Sequence, residues 1–272
     1  MKFILRLLIF IIIFIVIFIS QISAEEIHLL CVSFDRADST KLHKQLSKID
    51  SIIKNVSEPL ILVSPNNFQT DFGSSSFTTQ NRYNMNCINI FIPDIFSEIA
   101  DTDIVHKYTI DIITSNLKWN NRKNGIEFIQ SKVITLSDSL KIGFMGILTP
   151  DLPFLYPSLF TNSDEFKFRF GIFDCAKEEI DSLKNQKVDF IILLNYLGNF
   201  LDKELMRKFI DIDFVIDGFE LDFEEDYKNE FYKNSIIHIN FRQPLIKDIC
   251  VYLHKNEDNQ AIIDSLKINN QN

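Results

Sequence analysis

The chain has 272 residues, room for one large domain or two small ones, and 46% of them are hydrophobic, with 26 Phe, so a sizeable core is expected. A net charge of −9, with no clustered run of Lys and Arg, excludes a nucleic-acid partner, because gripping a phosphate backbone needs such clusters. Ile, Asn, Lys and Phe are abundant and Gly and Pro number seven each, a compositional bias in which single Asn and Lys residues carry little functional weight.

The first segment, MKFILRLLIFIIIFIVIFISQISA, places Lys2 and Arg6 ahead of an uncharged run from Leu7 to Ile19 and then a polar stretch ending in Ala24. That run is about 13 residues long, short for a membrane span and right for a signal peptide. Residues 1–24 are therefore predicted to be a signal peptide, and 25–272 a single domain that is secreted or lies in the lumen of the secretory pathway. Ile22 is a less common residue at its place before a cleavage site, and an uncleaved segment would instead tether the chain to a membrane. Asn55-Val56-Ser57 is a glycosylation triplet that fits a secretory route, although such triplets are frequent by chance.

From residue 25 the pattern alternates. IHLLCVSF (27–34) reads as a buried strand, and 41–55 as an amphipathic helix with Leu42, Leu46, Ile49, Ile52 and Ile53 on one face. PLILV (59–63) and CINIFI (87–92) read as further strands, separated by a polar loop. Residues 108–117, 125–136 and 140–148 predict a strand, a hairpin and another strand. Helices are expected over 174–186 and 199–210, each followed by a strand, at 188–194 and 212–217. The tail offers three strand-like runs, 235–241, 247–255 and 261–268. Strands alternating with helices, then a run of strands, predict an α/β domain with one or two mixed sheets. Cys31, Cys87, Cys175 and Cys250 are widely spaced with no C-x-x-C; they could form disulfides, but three lie in apolar runs where buried thiols are at least as well accommodated.

One stretch carries a family resemblance. LKIGFMGILTPDLPFLYPSLF (140–160), through Ile142, Gly143, Gly146, Thr149, Pro150 and Asp151, resembles a segment of the calcineurin-like metallophosphoesterase domain of secreted 5'-nucleotidases. VDFIILLNYLG and DKELMRKFIDIDFVIDG resemble the part that follows, in which a strand ends in Ser-His-Leu-Gly and a helix and a second strand lead to Gly-His-x-His. The resemblance implies a four-layer α/β/β/α sandwich and, in an active member, two divalent metals such as zinc or manganese that activate water and clamp phosphate oxygens.

The ligand set that the resemblance implies is largely replaced. Asp35 stands at the first aspartate, with Ala37 where a histidine belongs. Pro65 and Asn66 stand over the Gly-Asp pair, and a neutral amide is a poor bridge between two dications. Ile92, Pro93, Asp94 and Ile95 occupy the region of Gly-Asn-His-Glu. Asn195-Tyr196-Leu197-Gly198 replaces Ser-His-Leu-Gly, and Gly218-Phe219-Glu220-Leu221 replaces Gly-His-x-His. Asp35 and Asn66 remain as remnant metal positions; Asp35 reads equally as a loop carboxylate capping the next helix, and the capping preference favours that. The chain also ends at 272, so the family's C-terminal nucleoside-binding domain is expected to be missing.

The other polar groups read as structural. His28, His43, His106, His238 and His254 share no metal-like spacing, and His28 and His238 lie within strand patterns. ELDFEED (220–226) lacks the order of a calcium loop and reads as a solvated acidic loop. DEFKFRFGIFD (164–174) reads as a half-buried strand. The expectation is a catalytically silent member of this fold, with no catalytic residues and no cofactor, that binds a protein partner. The alternatives are a hydrolase with a reduced metal site on Asp35, Asn66 and a third ligand such as Asp94, and a surface protein held by its N-terminal segment.

Overall fold

The computed structural model describes residues 25–33, most of 44–56, 60–64, 86–90, 111–119, 127–137, 140–155, 157–160, 166–218, 227–229, 234–238, 245–255 and 261–270. The first sheet contains β1 (Glu25–Ser33), β2 (Leu60–Ser64), β3 (Asn86–Ile90) and β4 (Asp111–Ile113) as parallel neighbours. A short strand β5 (Leu117–Trp119) leaves it, β6 (Glu127–Ile129) rejoins it beside β4, and the chain then crosses to the second sheet with β7 (Ser131–Ser137) and β8 (Leu140–Leu148). Two single-turn helices follow, α1 (Leu152–Leu155) and α2 (Pro157–Phe160), and β9 (Phe166–Phe168) pairs with β5 in a separate ribbon. Helix α3 (Ile172–Asn185), β10 (Phe190–Tyr196), α4 (Asn199–Lys208) and β11 (Phe214–Asp217) alternate in the second sheet. The sheet is completed by β12 (Tyr227–Asn229) and β13 (Asn234–His238), and β14 (Leu245–Lys255) and β15 (Ala261–Asn270) return antiparallel to the far edge of the first sheet.

Strand periodicity explains the layers. Ile27, Leu29 and Cys31 of β1 and Ile249, Val251 and Leu253 of β14 share one face, and they meet Ile142, Phe144, Ile192, Leu194, Phe214 and Ile216 of the second sheet in one apolar cluster. The intervening residues of β8, β10 and β11, among them Met145, Ile191, Leu193 and Val215, lie under Ala176, Ile180 and Leu183 of α3 and Leu205 and Met206 of α4. Burial on both faces is why these strands are apolar without a break. Between β1 and β2 the described residues of 44–55 are helical and Ile49 is fully buried. The two strands are parallel, so this crossover lies over a face of the sheet, and the inner face is already occupied. The result is the expected α/β/β/α sandwich.

Two expected elements differ. Residues 125–136 do not form a hairpin: β6 pairs parallel with β4 in the first sheet, whereas β7 pairs antiparallel with β8 in the second. Alternating hydrophobicity reports one buried face but not which partner supplies the hydrogen bonds, and the hairpin is β7–β8. Among the described residues of the strand expected over 164–174, only Phe166–Phe168 are extended, as β9, and Ile172 already begins α3. Cys31, Cys175 and Cys250 are buried and none is joined in a disulfide.

Asp213, at the entry to β11, accepts the Ile191 backbone N–H on its carboxylate at 2.8 Å. Burial pushes its carboxyl up to about 7, and Asp211 adds to the shift. A carboxyl that holds its proton more tightly when folded stabilises the protein below its ordinary pKa of 3.8, and that stability is lost as pH rises through about 7. The loss has an upper bound of about 1.4 kcal/mol per pH unit, reduced by the side chain's partial exposure. Asp213→Asn keeps an acceptor for Ile191 and is expected to flatten the pH dependence of unfolding between about pH 4 and pH 7; an unchanged profile in urea titrations would show that Asp213 is not its source.

Candidate functional site

In an open α/β sheet, ligands gather beyond the carboxyl ends of the strands. At that edge β8, β10, β11 and β13 run parallel, and Asn195 stands in register with Ile147 on one side and Asp217 on the other, with His238 beside Asp217 on β13. Asn195 and Asp217 occupy the helix-facing side of the strands, with Leu193 and Val215. Asn195 is fully buried and its Nδ2 donates a short hydrogen bond to Oδ1 of Asp202, a buried residue of α4. The Gly218 N–H donates to the Asn195 carbonyl at 3.1 Å and joins the two loops. Gly198 enables the turn into α4, with φ at 88°, in the left-handed region that favours glycine.

Tyr196 points the other way. Its half-buried ring packs against the apolar cluster between the sheets, where the resemblance expects an imidazole.

On β8 the matched motif proves structural. Gly146 is where the sheets touch: a Cβ there would lie 2.2 Å from the Ile113 carbonyl oxygen. The Ser115 N–H donates to the Gly146 carbonyl at 2.7 Å, and the fully buried Asn116 grips Leu148, donating to its carbonyl at 2.8 Å and accepting its N–H at 2.9 Å. Buried Thr149 accepts the Asp151 N–H, and the Asp151 carbonyl takes the N–H groups of Phe154 and Leu155 to start α1. Around this edge sit four exposed apolar side chains: Phe154 and Leu155 of α1, Phe170 at the start of α3 and Phe200 at the start of α4.

The positions read from the sequence are thus partly assembled. Asn195, Tyr196, Leu197, Gly198 and Gly218 come together. Asp35, Ala37, Asn66, Asp94, Phe219, Glu220 and Leu221 lie outside the described residues. Asn116, Asp202 and Asp217 were not singled out from the sequence; a lone polar residue inside an apolar strand run, as at Asp217, was the available signal. As for the two metals, the described parts of the later loops do not fit them. They supply an amide engaged by Asp202, a phenol packed on the core, and no group of three His, Cys, Asp or Glu donors.

No protein-family model matches the sequence, and no curated protein is detectably similar to it. Solved structures do match. The 5'-nucleotidase precursor of Thermus thermophilus aligns with a TM-score of 0.61 at 12% identity, over 90% of this chain and 54% of that one. The NAD nucleotidase of Haemophilus influenzae gives 0.59 at 15% identity, over 91% of this chain and 56% of that one. The sulfate thiohydrolase SoxB of Thermus thermophilus gives 0.57 at 12% identity, over 83% and 41%. The fold is that of a metallophosphoesterase domain. The chain spans about half the length of these proteins.

Proposed function

We propose that this is a secreted, catalytically silent metallophosphoesterase-fold protein that binds a protein partner. The observation that carries the reading is Tyr196, packed on the inter-sheet core at the place of an expected histidine ligand. The replacements at Ala37, Asn66 and Phe219 are in keeping with it, because clustered carboxylates without a metal repel one another and are costly to bury, whereas neutral groups let the fold stand alone. A binding role is supported by Phe154, 79% exposed, and Phe200, 75% exposed, at the same edge, since exposed aromatic side chains supply much of the energy of protein contacts.

The test is turnover of AMP and of p-nitrophenyl phosphate by residues 25–272 with added manganese or zinc. Rates equal to those of buffer are expected. Hydrolysis that Asp35→Ala abolishes would establish the hydrolase with a reduced metal site instead.

A further inference from the structure

We propose a second, independent site: a zinc-type cation bound between β1 and β14 by His28, Asp248 and Cys250, with Glu26 orienting the imidazole. It is built where the two strands pair antiparallel, with His28 opposite Cys250, Glu26 opposite Tyr252, and Asp248 one step along. These side chains alternate with Ile27, Leu29, Ile249 and Val251, which face the second sheet, so the cluster occupies the outer face of the first sheet. His28 is five residues before Ser33, the carboxyl end of β1, about 16 Å at strand rise, so the cluster is separate from the edge described above.

The geometry is that of a ligand set. The His28 Nδ1 lies 2.9 Å from Asp248 Oδ1 and 3.5 Å from Cys250 Sγ, and Cys250 Sγ lies 3.8 Å from Asp248 Oδ2. A tetrahedral zinc with Zn–N and Zn–O of about 2.0–2.2 Å and Zn–S of about 2.3 Å separates its ligand atoms by roughly 3.3–3.7 Å. The His28 Nδ1 to Cys250 Sγ separation falls within that range, and the Asp248 carboxylate flanks both atoms, one oxygen toward each. On the far side of the ring, Glu26 Oε1 is 3.3 Å from Nε2. Carboxylates in that place fix the tautomer of a ligating histidine. Glu26 in turn is hydrogen-bonded by the Tyr252 hydroxyl. Glu26, His28 and Cys250 also place one ligand atom each within 4.8 Å of one another.

A buried His–Asp ion pair is the centre of a larger set of donors. His28, Asp248 and Cys250 are all buried, and a thiol and a second carboxylate converge on the same imidazole. A coordinating thiol is deprotonated outright. On uptake the thiol proton is released to solvent and Nδ1 gives its lone pair to the metal, with the ring proton on Nε2 toward Glu26. A mixed thiolate, imidazole and carboxylate set selects zinc over calcium or magnesium, and it would fasten the first strand of the domain to its C-terminal hairpin.

The test uses residues 25–272 stripped with a chelator and titrated with cobalt(II) and then zinc in competition with a chromophoric chelator. One equivalent is expected, with a thiolate-to-cobalt charge-transfer band that zinc bleaches. Cys250→Ser should remove the band, His28→Gln should abolish stoichiometric uptake, and Glu26→Gln should weaken it about 10–100-fold. Asp35→Ala should change nothing, which separates this site from the proposed loss of catalysis. Should Cys250→Ser fail to fold, the band in the unaltered protein still reports the thiolate. Absence of that band, or zinc affinity unchanged in Glu26→Gln and His28→Gln, overturns the proposal.

Discussion

Gly146→Ala is expected to unfold the protein or to lower its stability by on the order of 3 kcal/mol or more. The added Cβ would sit 2.2 Å from the Ile113 carbonyl oxygen and 2.9 Å from its carbonyl carbon, so the obstacle is backbone and cannot swing aside. Relief requires β4 and β8 to part, which breaks the 2.7 Å hydrogen bond from the Ser115 N–H to the Gly146 carbonyl. Overpacking alone costs about 1–3 kcal/mol, and a stranded buried carbonyl adds about 1–3. Gly143→Ala is the internal control. Its Cβ would meet the Leu183 Cδ2 at 2.9 Å, the far end of a side chain that can change rotamer, so a loss under about 1.5 kcal/mol is expected. Urea midpoints at equal slope measure both, and equal losses would show that the close approach of the sheets does not set the cost.

The second large effect belongs to Asn116. Its side chain completes the end of β8 as a neighbouring strand would, satisfying both backbone groups of Leu148, and Asn116 is itself fully buried. Asn116→Ala leaves a buried N–H and a buried C=O without their partners, for a loss of about 2–5 kcal/mol. Asn116→Asp nearly preserves the volume but removes the donor, and it sets a carboxylate against the Leu148 carbonyl. It is expected to be at least as damaging as alanine. If the aspartate variant is as stable as the parent, volume rather than hydrogen bonding holds this contact between the layers.

The fold was legible where one physical signal dominated. β8 spans Leu140–Leu148, the run expected from its unbroken apolar character, and α3 and α4 begin within two residues of their expected starts. Pairing was not legible. No Gly or Pro marks a break around Gln130, yet the chain leaves one sheet for the other there, because side-chain pattern reports burial and not the strand across the ladder. Short elements such as β5, β9 and β12 have three residues each and no room for a periodic signal.

The candidate site divides in the same way. Asn195, Tyr196 and Gly218 could be read from loop order after two apolar strands, since parallel neighbours bring such loops together. Asn116 could not, because its partner Leu148 is 32 residues away and nothing local marks it as a bridge. His28 was read as an ordinary strand histidine. Its partners Asp248 and Cys250 lie 220 and 222 residues on, and only the alternation Glu26-x-His28 in one strand with Asp248-x-Cys250-x-Tyr252 in another hinted at a shared polar face.

The proposed function requires that the edge built around Asn195 and Tyr196 hold neither of the two metals of an active phosphoesterase. Elemental mass spectrometry on His28→Gln protein, saturated with zinc and manganese and then desalted, tests it with the outer-face site disabled. No retained metal is expected. Two equivalents per chain, lost again in Asp35→Ala, would contradict it and restore a working dinuclear centre at the carboxyl ends of the strands.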